Sequence, residues 1–316
     1  VTIAADQAGD NRYQAAAQVT QSFIVSKAML TVTANNKSKI YLQPNPALDY
    51  TITGFVKNEN TSVVTGSASI ITTADINSVV GTYPITVTTG NISAANYDFT
   101  FVNGTLNVTP ASQTITFTAI PNKTYGDAAF TVNATSDAGL PVSYSVQSGP
   151  ATISGNTVTI TGTGNVTIAA NQAGNSNYPA ASTVTQSFTV SKAMLMVTAH
   201  NKSRAYAQPN PAFDYVVTGF VNNEDSSHVI SGIAATSTTA DVNSVPNTYP
   251  ITVGIGGLTA ANYDFQFTGA TLTVTPATQT ITFNALTNKT YGDADFTLSA
   301  SSNSGLAVTY SVVSGP

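Results

Sequence analysis

Chemistry at a protein surface needs carboxylates, imidazoles, thiols or amines held close together, and few such groups cluster in this chain. Charged residues are 8% of 316, histidines number two, and cysteine is absent. That removes disulfides, thiol nucleophiles and thiolate metal sites together. His200 and His228 each occur in one copy of a repeated pattern, with Asn35 as the counterpart of His200. A catalytic or metal-binding imidazole needs a defined constellation around it, so both read as solvated surface residues. Hard cations favour clustered carboxylates and carbonyls. The calcium candidates are therefore Asp6 with Asp10 and, near module ends, Glu224-Asp225 with Asp241 and Asp293 with Asp295. The first becomes Asn171, Asn175 and Ser176 in its other copy, an exchange that an Asx-turn tolerates and a calcium site does not. No nucleophile–base pair or metal constellation remains. The expectation is a non-catalytic chain with no catalytic residue and no cofactor beyond that calcium candidacy.

The elements that carry these residues read as strands. Val, Ile, Thr, Tyr and Phe are abundant and suit pleated surfaces, while Gly and Pro every few residues suit turns. In Thr157-Val158-Thr159-Ile160-Thr161 the threonines form the outward face, with Val158 and Ile160 turned inward. The net charge is −5 and the ten basic residues are scattered singly, so no basic stripe exists to hold a phosphate backbone and nucleic acid is excluded as a partner. No apolar run is long enough to span a bilayer, so no membrane contact is expected in this segment. No signal-peptide pattern is present either, which places any export signal outside these residues.

Self-comparison shows an alternating repeat. Ser26-Lys27-Ala28-Met29-Leu30 recurs as Ser191-Lys192-Ala193-Met194-Leu195, and Gln113-Thr114-Ile115-Thr116-Phe117 as Gln279-Thr280-Ile281-Thr282-Phe283. Each period holds two units, A and B, of roughly 80 residues. The expected division is 1–27, the C-terminal part of an A unit; 28–111, unit B; 112–192, unit A; 193–277, unit B; and 278–316, the N-terminal part of an A unit. Residues 1–5 match Val166–Ala170 and the last seven match Tyr144–Pro150, so the expectation is a window on a longer array. One residue is inserted between Glu224 and Gly232 relative to Glu59 and Gly66, and Val56–Val64 is the one stretch suited to a short helical turn.

Two kinds of joint follow. Val184–Ala199 reads as two strands meeting at Ser191-Lys192-Ala193, with Ser26-Lys27-Ala28 as the earlier copy, and no Gly or Pro there favours a hinge. The other joint carries Pro110-Ala111 and Pro276-Ala277, where proline fixes φ and ends the strand ladder. Tyr125-Gly126-Asp127 and Tyr291-Gly292-Asp293 read as turns in which Gly supplies backbone freedom and Asp bonds a nearby N–H. Asn103-Gly104 reads as a two-residue hairpin turn with positive φ at both positions. Tyr13, Tyr41, Tyr178 and Tyr206 could stack on sugars, though such residues more often complete small cores.

Unit B, with Gln43–Ala47 and 206–212, Gly-Thr-Tyr-Pro-Ile-Thr-Val at 81–87 and Ala-Ala-Asn-Tyr-Asp-Phe at 94–99, resembles the MBG domains of bacterial surface proteins. Unit A, with Lys-Thr-Tyr-Gly-Asp at 123–127 and Asn-Tyr-Pro-Ala-Ala at 177–181, resembles the bacterial Ig-like repeats found beside them. The resemblance implies an all-β chain, a tandem array of small β-sandwich (Ig-like) and β-grasp-like MBG modules forming an extended rod. Four modules in line would span on the order of 120–150 Å. It further implies a stalk or filament segment of a very large secreted adhesin on a bacterial surface, Gram-negative and Bacteroidota-like. Partners would be neighbouring repeats of the same chain, with lateral or filament self-association. The alternative is a multivalent array binding host or environmental glycans or mucin. Some Ig-like adhesin modules cross-link a buried Lys to Asn through a carboxylate, and Lys123 with Asp127 is the pair to inspect.

Overall fold

Strands account for 44% of the chain and helix for 2%, in a computed structural model that describes residues 1–315. Pro316, the last residue of the 278–316 segment, lies outside them. Two compact units form. The first comprises Val1–Ala119, Val132–Ser145 and Ile168–Gln186, and the second Ile120–Thr131, Val146–Thr167 and Ser187–Pro316. Their division runs through the middle module, so each unit is described with its own part of it.

In the first unit, β1 (Thr2–Ala5) pairs antiparallel with β2 (Val19–Ser22). Seven strands follow: β3 (Ala28–Ala34), β4 (Lys37–Ile40), β5 (Tyr50–Thr53), β6 (Ser69–Thr72), β7 (Gly81–Thr88), β8 (Tyr97–Val102) and β9 (Gly104–Thr109). They divide into two sheets of order β5-β3-β8 and β4-β9-β7-β6. Alternation turns Leu30, Val32 and Ala34 of β3 inward with Ile85 and Val87 of β7 and Leu106 of β9, and residues of both sheets make one core. The result is a sandwich. β3 runs parallel to β8, and β4 runs parallel to β9.

Pro84 sits inside β7, a strand paired on both sides. The β6 ladder ends one residue short of it, at Thr72 opposite Ile85, so no partner backbone there requires a proline N–H. The Thr72 hydroxyl instead donates to the Pro84 carbonyl at 2.8 Å. Lys39, 6% exposed, donates to the Gln43 carbonyl at 3.1 Å and to that of Asp75, tying two loops to the end of the sandwich.

The second unit repeats this plan with Ala193–Ala199, Lys202–Ala205, Tyr215–Thr218, Ala235–Thr238, Asn247–Gly254, Tyr263–Thr268 and Ala270–Thr275. Arg204 takes the place of Lys39 and donates to Asn210 Oδ1 at 2.7 Å and to the Asp241 carbonyl. The inserted residue is absorbed in the expected helical segment. The first copy has a 3₁₀ turn, Thr61–Val63, in which Val63 N–H bonds the Asn60 carbonyl. The second has an α-turn, Ser226–Val229, in which Val229 N–H reaches one residue further back, to Asp225. Changing the bond from three to four residues accommodates one extra residue while the flanking strands keep their places.

The stretch expected as a middle module, 112–192, contributes to each unit separately. In the first, Ile115–Phe117 pairs with Ala134–Ser136 and Phe117 packs on the Tyr144 ring at 5.8 Å. In the second, Thr157–Ile160 lies between Phe130–Thr131 and Ala151–Ser154, and Lys123–Thr124 runs parallel to Val190–Ser191.

The Asn103-Gly104 hairpin is corrected. β8 belongs to one sheet and β9 to the other, so the chain crosses between layers there, and neither residue has positive φ. Gly104 is required by a close approach. A Cβ on it would stand 2.5 Å from the Ala34 carbonyl oxygen.

Replacing Lys39 by Met should cost the first sandwich about 1–3 kcal/mol, since it strands two inward carbonyls. Lys39→Arg should cost less than about 1 kcal/mol, because arginine already serves at the equivalent place. Urea denaturation of the variants checks both.

Candidate functional site

The residues brought together most specifically are those at the two joints. In the first unit, β4 ends at Ile40 opposite Thr109, and Tyr41 N–H continues the ladder to the Thr109 carbonyl at 2.8 Å. Leu42, at φ 61°, then reverses the chain. This holds the Tyr41 ring beside the last strand, at the exit towards Pro110. Tyr178 of the middle module meets it edge to face, centroids 5.5 Å apart at 88°. Asn177 completes the contact. Its carbonyl accepts from Ala111 N–H and its Oδ1 from Val80 N–H, each at 3.0 Å. Asn175 fixes both residues by accepting their N–H groups at 2.9 and 3.0 Å, an Asx-turn.

In the second unit the same device recurs with other residues. Tyr125 N–H continues the Lys123–Thr124 ladder to the Ser191 carbonyl at 2.9 Å, and Gly126, at φ 92°, reverses the chain. Asp127 closes the turn by accepting from Thr124 N–H at 3.0 Å. Tyr263 of the following sandwich meets Tyr125 edge to face at 5.6 Å and 86°. Asn262 accepts from Ala193 N–H through its carbonyl at 3.0 Å and from Thr163 N–H through Oδ1 at 3.1 Å.

A carboxylate is added at this joint. Glu224 accepts from the Tyr125 hydroxyl at 2.8 Å and, on its other oxygen, from that of Tyr263. Burial and the Glu224 carboxylate push Tyr263 up to about 12. Gly126 is also pressed against Val221, and a Cβ on it would stand 2.6 Å from that residue's Cβ and Cγ2.

The remaining joint residues have simpler places. Ser191 ends one strand and Ala193 begins the next. Lys192 donates to the Ala260 carbonyl at 3.1 Å and stands 3.8 Å from Asp264. In the earlier copy Lys27 stands 3.8 Å from Asp98 and Ala28 N–H bonds the Asn96 carbonyl at 3.0 Å, with Ser26 exposed. Pro276 and Ala277 are exposed. Tyr291-Gly292-Asp293 forms the same turn as its counterpart, Asp293 accepting from Thr290 N–H at 2.8 Å, but its tyrosine is 106% exposed where Tyr125 is 6%.

Several of the carboxylates considered for calcium are occupied locally. Asp10 caps Arg12 and Tyr13 N–H, and Asp241 caps Asn243. Asp225 accepts from Ser227 and His228, which hold its carboxyl down at about 2. Among the described residues no group of three or more His, Cys, Asp or Glu could hold a metal. Lys123 Nζ lies 4.5 Å over the Phe130 ring, while Asp127 is engaged by Thr124. Both histidines are exposed against aspartates, His200 on Asp214 and His228 on Asp225. Sequence reasoning missed the receiving residues, Asn177, Asn262, Tyr263, Val221 and the bridging role of Glu224. The available signal was the Asn-Tyr dipeptide shared by both unit types, at Asn96, Asn177 and Asn262.

These are two-sheet β domains of a repeat protein. Residues 30–107 and 195–273 are both MBG domains of the YGX type. No curated protein matches the sequence. Solved structures that resemble it include Drosophila N-cadherin EC1-4 (8% identity, 79% of this chain and 76% of that one, TM-score 0.27). The titin I-band fragment I67-I69 matches at 9% identity over 79% of this chain and 97% of that one, TM-score 0.29. The four N-terminal Ig domains of Dscam1 isoform 7.44 match at 12% identity over 82% and 77%, TM-score 0.25. Likeness at that level specifies neither function nor partner.

Two outcomes follow. Gly126→Ala should destabilise the second unit by about 1–3 kcal/mol more than Gly292→Ala, because both strain a positive φ but only the first meets Val221. Denaturation midpoints, with hydrogen exchange at the Val221 amide, measure this. Tyr263 is raised from about 10 to about 12, so its contribution to stability is complete below pH 10 and lost as pH climbs through 12. Tyr263→Phe should flatten that alkaline loss in pH-dependent unfolding.

Proposed function

We propose that this chain is a non-catalytic spacer segment of an extracellular bacterial surface adhesin, built to hold successive modules at set orientations. The observation that carries the reading is the repeated joint. At each one, a tyrosine beside the last strand of a module packs edge-on to the tyrosine of an Asn-Tyr pair in the next. That asparagine accepts the N–H entering the new module. A linker with no other role needs no such contact, and a flexible one would lose it.

The MBG assignment supports a surface role, and the near-copy repetition of the two domains favours length over a distinctive binding surface. The modules between and beside the MBG domains are taken as Ig-like repeats, with the boundaries 28–111, 112–192 and 193–277. No helix of the described residues is long and apolar enough to cross a membrane. Against a glycan-binding array stands the use of Tyr41 on Tyr178 and of Tyr125 on Tyr263, which spends these rings on one another.

Small-angle scattering tests the reading. The expected particle is stiff and extended, with a maximum dimension on the order of 120–150 Å for four modules in line. A compact particle, or a broad distribution of dimensions, would refute it.

A further inference from the structure

The chain has 14 tyrosines and neither cysteine nor tryptophan. A one-electron oxidant therefore finds no thiol and no indole, and its oxidising equivalents fall on phenols. The methionines, of which there are 3, go to sulfoxide by a separate route. Where a phenol is buried, losing an electron alone would leave a charged ring in an apolar place, which is costly. That cost is avoided when the proton leaves in the same step, and this needs an acceptor already hydrogen-bonded to the hydroxyl.

The Tyr125–Tyr263 pair meets these conditions. The two residues are 6% and 1% exposed, with ring centroids 5.6 Å apart. Both hydroxyls donate to Glu224, Tyr125 to Oε1 at 2.8 Å and Tyr263 to Oε2. These oxygens belong to one carboxylate, so the hydroxyls, and the ring carbons ortho to them, are gathered at one place. An electron can leave a buried ring through surrounding protein that an oxidant molecule does not enter, whereas the proton needs its acceptor within hydrogen-bond reach. Glu224 is half-buried, so it passes each proton on to water. Tyr263 opens a strand and stays fixed. Tyr125 sits on a turn, ahead of Gly126 at φ 92°, and its ring is the one that swings from the edge-on position to close the pair.

We infer that Tyr125 and Tyr263 are an oxidative cross-linking site, coupled through their ortho carbons to a dityrosine when a one-electron oxidant, such as a peroxidase fed with hydrogen peroxide, is supplied. Each phenol loses one electron to the oxidant and its proton to Glu224. The two phenoxyl radicals join by a carbon–carbon bond, and the two ortho C–H protons then move to the ring oxygens, restoring both phenols. In sum two C–H bonds break, one C–C bond forms, and two electrons and two protons leave. The new bond ties the turn after Lys123–Thr124 to the first residue of the strand Tyr263–Thr268, a covalent lock in a chain without disulfides. The inference goes beyond the spacer reading and stands on the geometry of this joint alone.

Photolysis of tris(bipyridyl)ruthenium(II) with persulfate supplies the oxidant to the full chain, held at about 1 μM so that encounters between copies are rare. Proteolytic mapping of the chains that remain monomeric should find a peptide containing Tyr125 joined to one containing Tyr263, lighter by two hydrogens than their sum, together with dityrosine fluorescence. Tyr125→Phe keeps the ring and should abolish that product. Glu224→Gln keeps a hydrogen-bonding side chain but removes the basic carboxylate, and should lower the yield at least tenfold at equal oxidant dose. Monomers without the Tyr125–Tyr263 product, cross-links confined to exposed tyrosines such as Tyr13 and Tyr291, or an unchanged yield in Glu224→Gln would overturn the inference. None of these outcomes bears on the spacer reading, which small-angle scattering tests separately.

Discussion

Both joints turn on an asparagine whose two ends bond different stretches of the chain. The Asn262 carbonyl receives the first N–H of the entering strand, at Ala193, and the next residue, Tyr263, is the strand partner of Ala193. Its side chain meanwhile holds a loop of the preceding module at Thr163. The joint and the first pair of the new sandwich are therefore one hydrogen-bonded system, so neither can form in a different register from the other. Edge-to-face pairs add about 0.5–1.5 kcal/mol beyond burial, and each hydrogen bond about as much.

The first joint uses Asn177 in the same way, although it lies between modules in the opposite order. The two modules differ in sheet composition, yet both place a tyrosine after a short second strand that runs parallel to the last one. That tyrosine is always followed by a residue of positive φ, Leu42, Gly126, Ala207 or Gly292. Leucine and alanine there accept backbone strain, which is consistent with a turn whose position matters more than its ease of formation. Glu224 is the local refinement. Its bridge between Tyr125 and Tyr263 survives an insertion only a few residues away, because the extra residue is taken up by exchanging a 3₁₀ turn for an α-turn.

Much of the fold was legible from residue order. The alternation in Leu30-Thr31-Val32-Thr33-Ala34 matches its buried and half-buried faces, the near-continuous pair of strands around Lys192 is present, and the helical turn falls within 56–64. These are local signals, carried by period and by turn chemistry. The Asn103-Gly104 reading failed because a hairpin requires the flanking strands to be partners, and partner choice is long-range. β8 is drawn to β3 and β9 to β4 and β7, while the glycine answers to the backbone of Ala34 across the sandwich. The receiving residues of the joints were hidden for the same reason. Asn177 and Asn262 look like ordinary loop residues until the neighbouring module is brought against them.

The parallel pairing of first strands bears on what happens when such a domain is stretched. Tension enters the second MBG domain through Ala193 and leaves through Thr275. Ala193–Thr198 is matched residue for residue with Tyr263–Thr268, and Lys202–Ala205 with Leu272–Thr275. A pull along these strands shears both ladders lengthwise, so their hydrogen bonds must give way together and not one after another as in a zipper opened from its end. Forced extension is governed by the height of that unfolding barrier. The topology thus ties the resistance of this disulfide-free domain to stretching to that barrier and not to its equilibrium stability.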